Sequence, residues 1–167
     1  MPDARLFLAL VPDEDTTRAI VAWQRRCTWP EDARIYRRDD LHITLLFLGA
    51  VPRATVGDLV PQLNVPAPRL QLELSLTHVE TWPRAGVAVL APTSIPEELQ
   101  VLHAALATAA TQAGFALEPR TYQPHVTVAR TRMAAPGAQV DGPLTWRSEG
   151  YVLMESNQGY RVIHRYG

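Results

Sequence analysis

Two short stretches of the chain carry the residue types of acid–base chemistry, and they share one pattern. Leu41-His42-Ile43-Thr44-Leu45-Leu46-Phe47-Leu48-Gly49 and Pro124-His125-Val126-Thr127-Val128-Ala129-Arg130 are apolar runs, each holding a His-x-Thr unit. Along a strand, residues i and i+2 point to the same face, so each unit presents an imidazole beside a hydroxyl. Ile43 and Val126, between them, then point into core. A polar pair in so apolar a strand costs free energy unless both groups find partners. A phosphate between two such pairs would satisfy all four groups. A single match would carry little, since five histidines and fourteen threonines supply roughly 0.4 matches by chance. Two matches separated by nearly half of the 167 residues are far less expected.

Two histidines facing one phosphorus suit phosphoryl transfer. One, neutral, takes a proton from attacking water, and the other, protonated, gives one to the leaving oxygen. Their ordinary pKa of about 6.5 lets both forms coexist near neutrality. Thr44 and Thr127 would hydrogen-bond the non-bridging oxygens, where charge builds up. No metal or other cofactor is expected: ligand clusters of the usual spacing are missing, and two histidines are too few for a catalytic zinc.

Composition narrows the field further. With 47% hydrophobic and 20% charged residues, the chain is ordinary globular protein. Its length suits one domain, spanning residues 1–167, built as two lobes around one core. No apolar run approaches the roughly 20 residues of a membrane span, and the first residues lack a signal-peptide pattern, so a cytoplasmic location is the expectation. Cys27 is the only cysteine, which excludes a disulfide framework and a thiolate metal cluster. Net charge is −1, so contact with nucleic acid should be local. All 16 basic residues are arginine. Without lysine, Schiff-base or lysine–nucleotide chemistry and a Walker-type phosphate loop are excluded.

The elements that must position the two motifs are readable in outline. Arg5–Val11 reads as a strand. Asp13-Glu14-Asp15 opens a helix with Ile20, Trp23 and Cys27 on one face and Arg25-Arg26 in its last turn, and Trp29-Pro30 ends it. Ile35-Tyr36 suits a short edge strand. Leu41–Leu48 reads as a strand closed by Gly49. A short helix follows through Val56, Leu59, Val60 and Leu63, interrupted by Pro61. Pro66 and Pro68 break the chain. Leu70, Leu72, Leu74 and Leu76 alternate as a strand, with Gly86–Leu90 as its expected hairpin partner. Ser94 and Glu97 suggest a capping box. Behind it, Leu99, Leu102, Leu106, Ala109 and Ala113 mark a long helix ended by Gly114. Tyr122–Ala129 is a further strand, and Tyr151–Met154 with Tyr160–His164 a closing hairpin around Asn157-Gln158-Gly159. The order predicts an α+β fold with largely antiparallel sheets. A strand, a helix and a His-x-Thr strand occur once in each half, which suggests an internal duplication.

The twin motifs, in this order and spacing, resemble the two-histidine phosphoesterases, in particular the RNA 2′,3′-cyclic phosphodiesterase or 2′-5′ RNA ligase family. The likeness extends to the opening Arg5-Leu6-Phe7-Leu8-Ala9-Leu10 and the closing Tyr151–Ser156 strand. It implies a bilobal α+β fold, with two pseudo-symmetric, mainly antiparallel sheets flanked by helices and an active-site cleft between them. It also implies hydrolysis of a terminal 2′,3′-cyclic phosphate to a 2′-phosphate, with ATP-independent 2′-5′ ligation as the reverse. His42 would be the proton donor and His125 the proton acceptor, roles that the symmetric residues alone do not assign. The motifs proper are His42, Ile43, Thr44, Leu45 and His125, Val126, Thr127, Val128.

Around them stand further candidates. Arg130 is the leading extra phosphate ligand, but strand parity puts it on the face opposite His125 and Thr127 unless the strand ends or bulges. Phe7 and Tyr122 would stack on a base or else pack in the core. Arg120 would reach RNA backbone or remain a solvated arginine. His78, His103 and His164 lie outside any His-x-Thr frame and read as structural. The expected partners are RNA ends or small cyclic nucleotides, with no membrane, and the protein is expected to be a monomer. A phosphodiesterase for 2′-5′ oligoadenylate or another cyclic nucleotide, and an RNA-end-binding module without turnover, are the alternatives.

Overall fold

A computed structural model describes residues 2–66 and 71–167. The first strand, β1 (Ala4–Leu10), is buried along almost its whole length. Helix α1 (Glu14–Arg26) follows, capped by Asp13, whose side chain accepts from the Thr16 amide at 2.8 Å. A two-residue strand β2 (Arg34–Ile35), strand β3 (Ile43–Val51) and the short helix α2 (Val56–Gln62), with Pro61 inside it, complete the first half. The second half runs β4 (Gln71–Leu76), β5 (His78–Trp82), β6 (Val87–Ala91), α3 (Glu97–Gln112), β7 (Val126–Arg130), β8 (Leu144–Glu149), β9 (Tyr151–Ser156) and β10 (Tyr160–Tyr166). No described helix is long and apolar enough to cross a membrane.

The fold is α+β with two antiparallel sheets. The larger has the order β10-β9-β1-β3-β7-β6-β5, with β2 on the edge of β7, and the smaller is the ribbon β4-β8. The two halves of the large sheet meet at one register pair, Ile43 with Val126. On either side of it the halves match: β1, α1 and β3 on one side, β6, α3 and β7 on the other, with β1 antiparallel to β3 and β6 to β7. The duplication suggested by the motifs is visible in this pairing.

One apolar cluster fills the space between sheets and helices, from Leu6, Leu8 and Leu10 to Ile20, Leu99, Leu106 and Trp146. Phe7, Ala9, Val152 and Met154 form a separate small cluster on the other face of β1 and β9. That is the face toward which the motif side chains point.

Three sequence expectations are corrected here. Val87–Ala91 pairs with His78–Trp82 across a tight turn, and β4 pairs with β8 far along the chain. Gly86 takes a positive φ of 70° in that turn, and its amide donates to the Trp82 carbonyl at 2.8 Å, so the local hairpin captures β6. The Leu72–Leu76 alternation is buried as expected, while Pro68 and Leu70 lie outside the described residues. Second, Ser94 does not cap α3: Pro96 occupies the cap position and no side chain bonds there. Ala110, not Ala109, is the fully buried alanine of that helix. Third, Gly49 does not end β3, which runs through it to Val51.

Candidate active site

The two motifs fold alike. In Leu41–Leu45 and in Pro124–Val128, buried and half-buried residues alternate, with His and Thr half-buried each time. Ile43 and Val126 are fully buried, as the pattern required. Because the pair Ile43–Val126 is antiparallel, His42 lies on the Thr127 side and Thr44 on the His125 side, across a pseudo-twofold axis.

A bulge follows the threonine in both strands. Thr44 pairs with Ala9 and Leu46 with Leu8, leaving Leu45 extra; Thr127 pairs with Val89 and Ala129 with Ala88, leaving Val128 extra. Two consecutive residues, Leu45-Leu46 and Val128-Ala129, therefore turn toward the core. Parity shifts by one beyond each bulge. Arg130 thus shares the face of Thr127, which removes the parity objection to it. The bulge in β7 is held from behind by α1: the buried Gln24 side chain donates to the Val128 carbonyl at 2.9 Å and to the Tyr36 carbonyl at 3.2 Å.

Each imidazole is fixed the same way. His42 Nδ1 lies 2.8 Å from the Asp40 carbonyl, and His125 Nδ1 lies 2.8 Å from the Gln123 carbonyl. A carbonyl oxygen only accepts, so Nδ1 carries the proton and Nε2 is the unprotonated nitrogen of the neutral ring. Burial pushes the pKa of both below the usual 6.5. For His42 the positive charge of His125 lowers it further, while the Asp40 carbonyl works against both effects. For His125 the Gln123 carbonyl and the Glu80 charge oppose burial. Neither threonine hydroxyl has a hydrogen-bond partner among the described residues.

Aromatic rings wall the site. Tyr160 stands edge-on to His42 with centroids 4.7 Å apart, Phe7 lies 5.1 Å away, and Trp82 stands 4.4 Å from His125. The sequence reading missed Tyr160, Trp82 and Gln24, which arrive from strands and a helix far from the motifs. Phe7 is corrected: at 1% exposure its ring has no free face for a base and packs beside His42. Phe47 takes that exposed place, at 54% exposure, stacked on Phe7 and turned to the motif face by the bulge at Leu45. The run of apolar residues around it concealed this in the sequence. Tyr122 stacks on His103 at 4.2 Å and donates its hydroxyl to the Thr44 carbonyl at 3.0 Å, bracing the first motif. Arg120 is exposed and paired with Glu118 at 2.6 Å. His78 engages Thr77 and Glu80, and His164 packs edge-on to Tyr166. Arg130 lies 5.8 Å from the centre of the Tyr36 ring, in an open cleft of about 440 Å³ that Tyr160 separates from His42. No group of three or more His, Cys, Asp or Glu suited to a metal ion occurs among the described residues.

Two Nδ1-anchored imidazoles, each beside a free hydroxyl on one face of an α+β sheet, define a two-histidine phosphoesterase. The family profile of the 2′-5′ RNA ligase superfamily matches residues 11–149. An Escherichia coli K12 protein, RNA 2′,3′-cyclic phosphodiesterase, is 30% identical over 129 residues, covering 75% of this chain and 71% of the relative. Among solved structures, E. coli LigT in its apo form superposes with a TM-score of 0.82 at 25% identity, over 99% of this chain and 98% of that one. E. coli LigT complexed with 3′-AMP gives 0.80 at 24% over the same shares. A Thermus thermophilus protein gives 0.77 at 23%, over 97% and 96%. The chain belongs to the 2′-5′ RNA ligase superfamily of two-histidine phosphoesterases.

Proposed function

We propose that the protein is an RNA 2′,3′-cyclic phosphodiesterase, opening a terminal cyclic phosphate to a 2′-phosphate by metal-independent acid–base catalysis. The observation that carries this reading is the matched anchoring of His42 and His125, which leaves two Nε2 atoms for one phosphate. The name of the E. coli relative and the 3′-AMP in one LigT structure support the substrate class.

In this reading His125 Nε2 takes a proton from water as the water oxygen bonds to phosphorus. His42, protonated at Nε2, gives its proton to the 3′-oxygen as the P–O3′ bond breaks. Which histidine plays which part follows the family resemblance. Thr44 and Thr127 donate to the non-bridging oxygens. Arg130 adds a cation on the same face, and Phe47 offers the exposed ring on which a base stacks. Tyr122 contributes by bracing the Thr44 backbone. With a 5′-hydroxyl in place of water as the nucleophile, the same groups would form a P–O5′ bond as P–O3′ breaks, and so make a 2′-5′ bond without ATP.

The reading is tested by turnover of an oligoribonucleotide ending in a 2′,3′-cyclic phosphate, with a chelator present. The expected result is an unchanged rate with chelator and a loss of about 10²–10⁴-fold in His125→Ala. Abolition by chelator, or full activity in the variant, contradicts it.

A further inference from the structure

Beside the motif pair lies a cluster of charge of which the proposed chemistry uses Arg130 alone. Arg34, Arg37 and Arg130 line one cleft with Tyr36, Asp40 and Tyr160. Arg34 and Arg130 sit directly opposite each other in the β2–β7 pair. Like charges in that position repel. Among the described residues, the one ion pair in the cleft joins Arg37 to Asp40 at 3.5 Å, and neither Arg34 nor Arg130 has a carboxylate partner. Three guanidiniums against one carboxylate leave the cleft short of negative charge.

The cleft is tied to the catalytic pair. Tyr36 and Tyr160 touch hydroxyl to hydroxyl at 3.3 Å, and the Tyr160 ring stands on His42. The backbone carbonyl of Asp40 anchors the same imidazole. An anion held here would lie across the Tyr160 ring from His42. A cyclic phosphate closes the 3′ end of a strand, so the one neighbouring phosphate of its nucleotide is on the 5′-oxygen.

We propose that the Arg34–Arg37–Arg130 cleft binds that 5′-phosphate, so that the protein discriminates a nucleotide at the end of an RNA strand from a bare nucleoside 2′,3′-cyclic phosphate. This rests on the cyclic phosphodiesterase reading and names the substrate form that the site selects. Guanidinium forks suit phosphate oxygens, and the tyrosine hydroxyls supply further donors.

The test compares a nucleoside 2′,3′-cyclic phosphate, the same compound bearing a 5′-phosphate, and a short oligoribonucleotide with the same end. The 5′-phosphate is expected to lower KM about tenfold, with the oligonucleotide behaving likewise. Arg34→Gln and Arg37→Gln should each remove most of that gain and leave turnover of the bare nucleoside compound unchanged. Equal KM values for the bare and 5′-phosphorylated compounds overturn the proposal while leaving the phosphodiesterase reading intact. So does an equal loss on both compounds in the variants. Absence of turnover on all three sinks the phosphodiesterase reading. Binding of a product-ended oligoribonucleotide across salt then decides the cleft. Its log–log slope should become shallower by about 0.7 for each arginine removed. An unchanged slope overturns the proposal.

Discussion

At the residue scale, the chemistry depends on which proton each imidazole holds. Both Nδ1 atoms donate to carbonyls two residues back, so in the proposed mechanism the reactive atoms are the two Nε2. Both pKa values sit below 6.5, chiefly because burial disfavours the cation. The sign of the pH dependence follows. Activity rises with pH as the base loses its proton and falls as the acid loses its own. With both groups shifted down, the kcat/KM profile of the free enzyme should be a bell peaking below pH 6.5. A bound phosphodiester anion favours both cations, so the kcat profile should peak at higher pH than kcat/KM. Rate measurements from pH 4 to 9 read both curves; a kcat/KM maximum on the alkaline side of 8 contradicts the acid–base pair. The motif residues themselves were legible in the sequence, because period-2 spacing in an apolar run admits few other readings. Tyr160, Trp82 and Phe47 were not, since nothing local says which aromatic rings a distant hairpin or bulge turns toward the site.

At the scale of elements, the bulges after Thr44 and Thr127 decide what shares the face of the two motifs. They let two residues in a row enter the core and bring Phe47 and Arg130 round to the face of the two motifs. Strand parity alone places Arg130 wrongly, and only the tertiary support explains the correction. Gln24, on α1, is that support: it is 4% exposed and bonds the Val128 carbonyl at the bulge. Gln24→Ala leaves the half-buried Tyr36 carbonyl without this donor and the Val128 carbonyl with the Tyr36 amide alone, at 3.0 Å, at a cost of about 1–3 kcal/mol. Thermal or denaturant unfolding should show that loss; wild-type stability in the variant contradicts the support assigned to Gln24. The β4 strand shows the same limit from another side. Its leucine alternation marked a strand correctly, yet its partner β8 is non-local, and the nearer β6 was taken by the β5 hairpin. Local pattern reports an element's type; pairing depends on turns and on chain far away.

At the scale of the molecule, the internal match is the organising feature. Two strand–helix–strand halves meet at a single buried pair, Ile43 with Val126, and each delivers one imidazole and one hydroxyl to the same face. Fold class, the near-duplication and the pairing of motifs could be read from the chain because they depend on repeated pattern. The cleft beside His42 could not, since Arg34, Arg37, Arg130 and Tyr160 come together only when β2, β7 and β10 are placed. The proposed breakage of the P–O3′ bond of a cyclic phosphate at this symmetric site has a direct readout. An oligoribonucleotide ending in a 2′,3′-cyclic phosphate is digested, and the new terminus is identified by phosphorus NMR or mass spectrometry with a phosphatase control. The expected terminus is a 2′-phosphate with a free 3′-hydroxyl; a 3′-phosphate terminus, or an end left cyclic, contradicts cleavage of P–O3′.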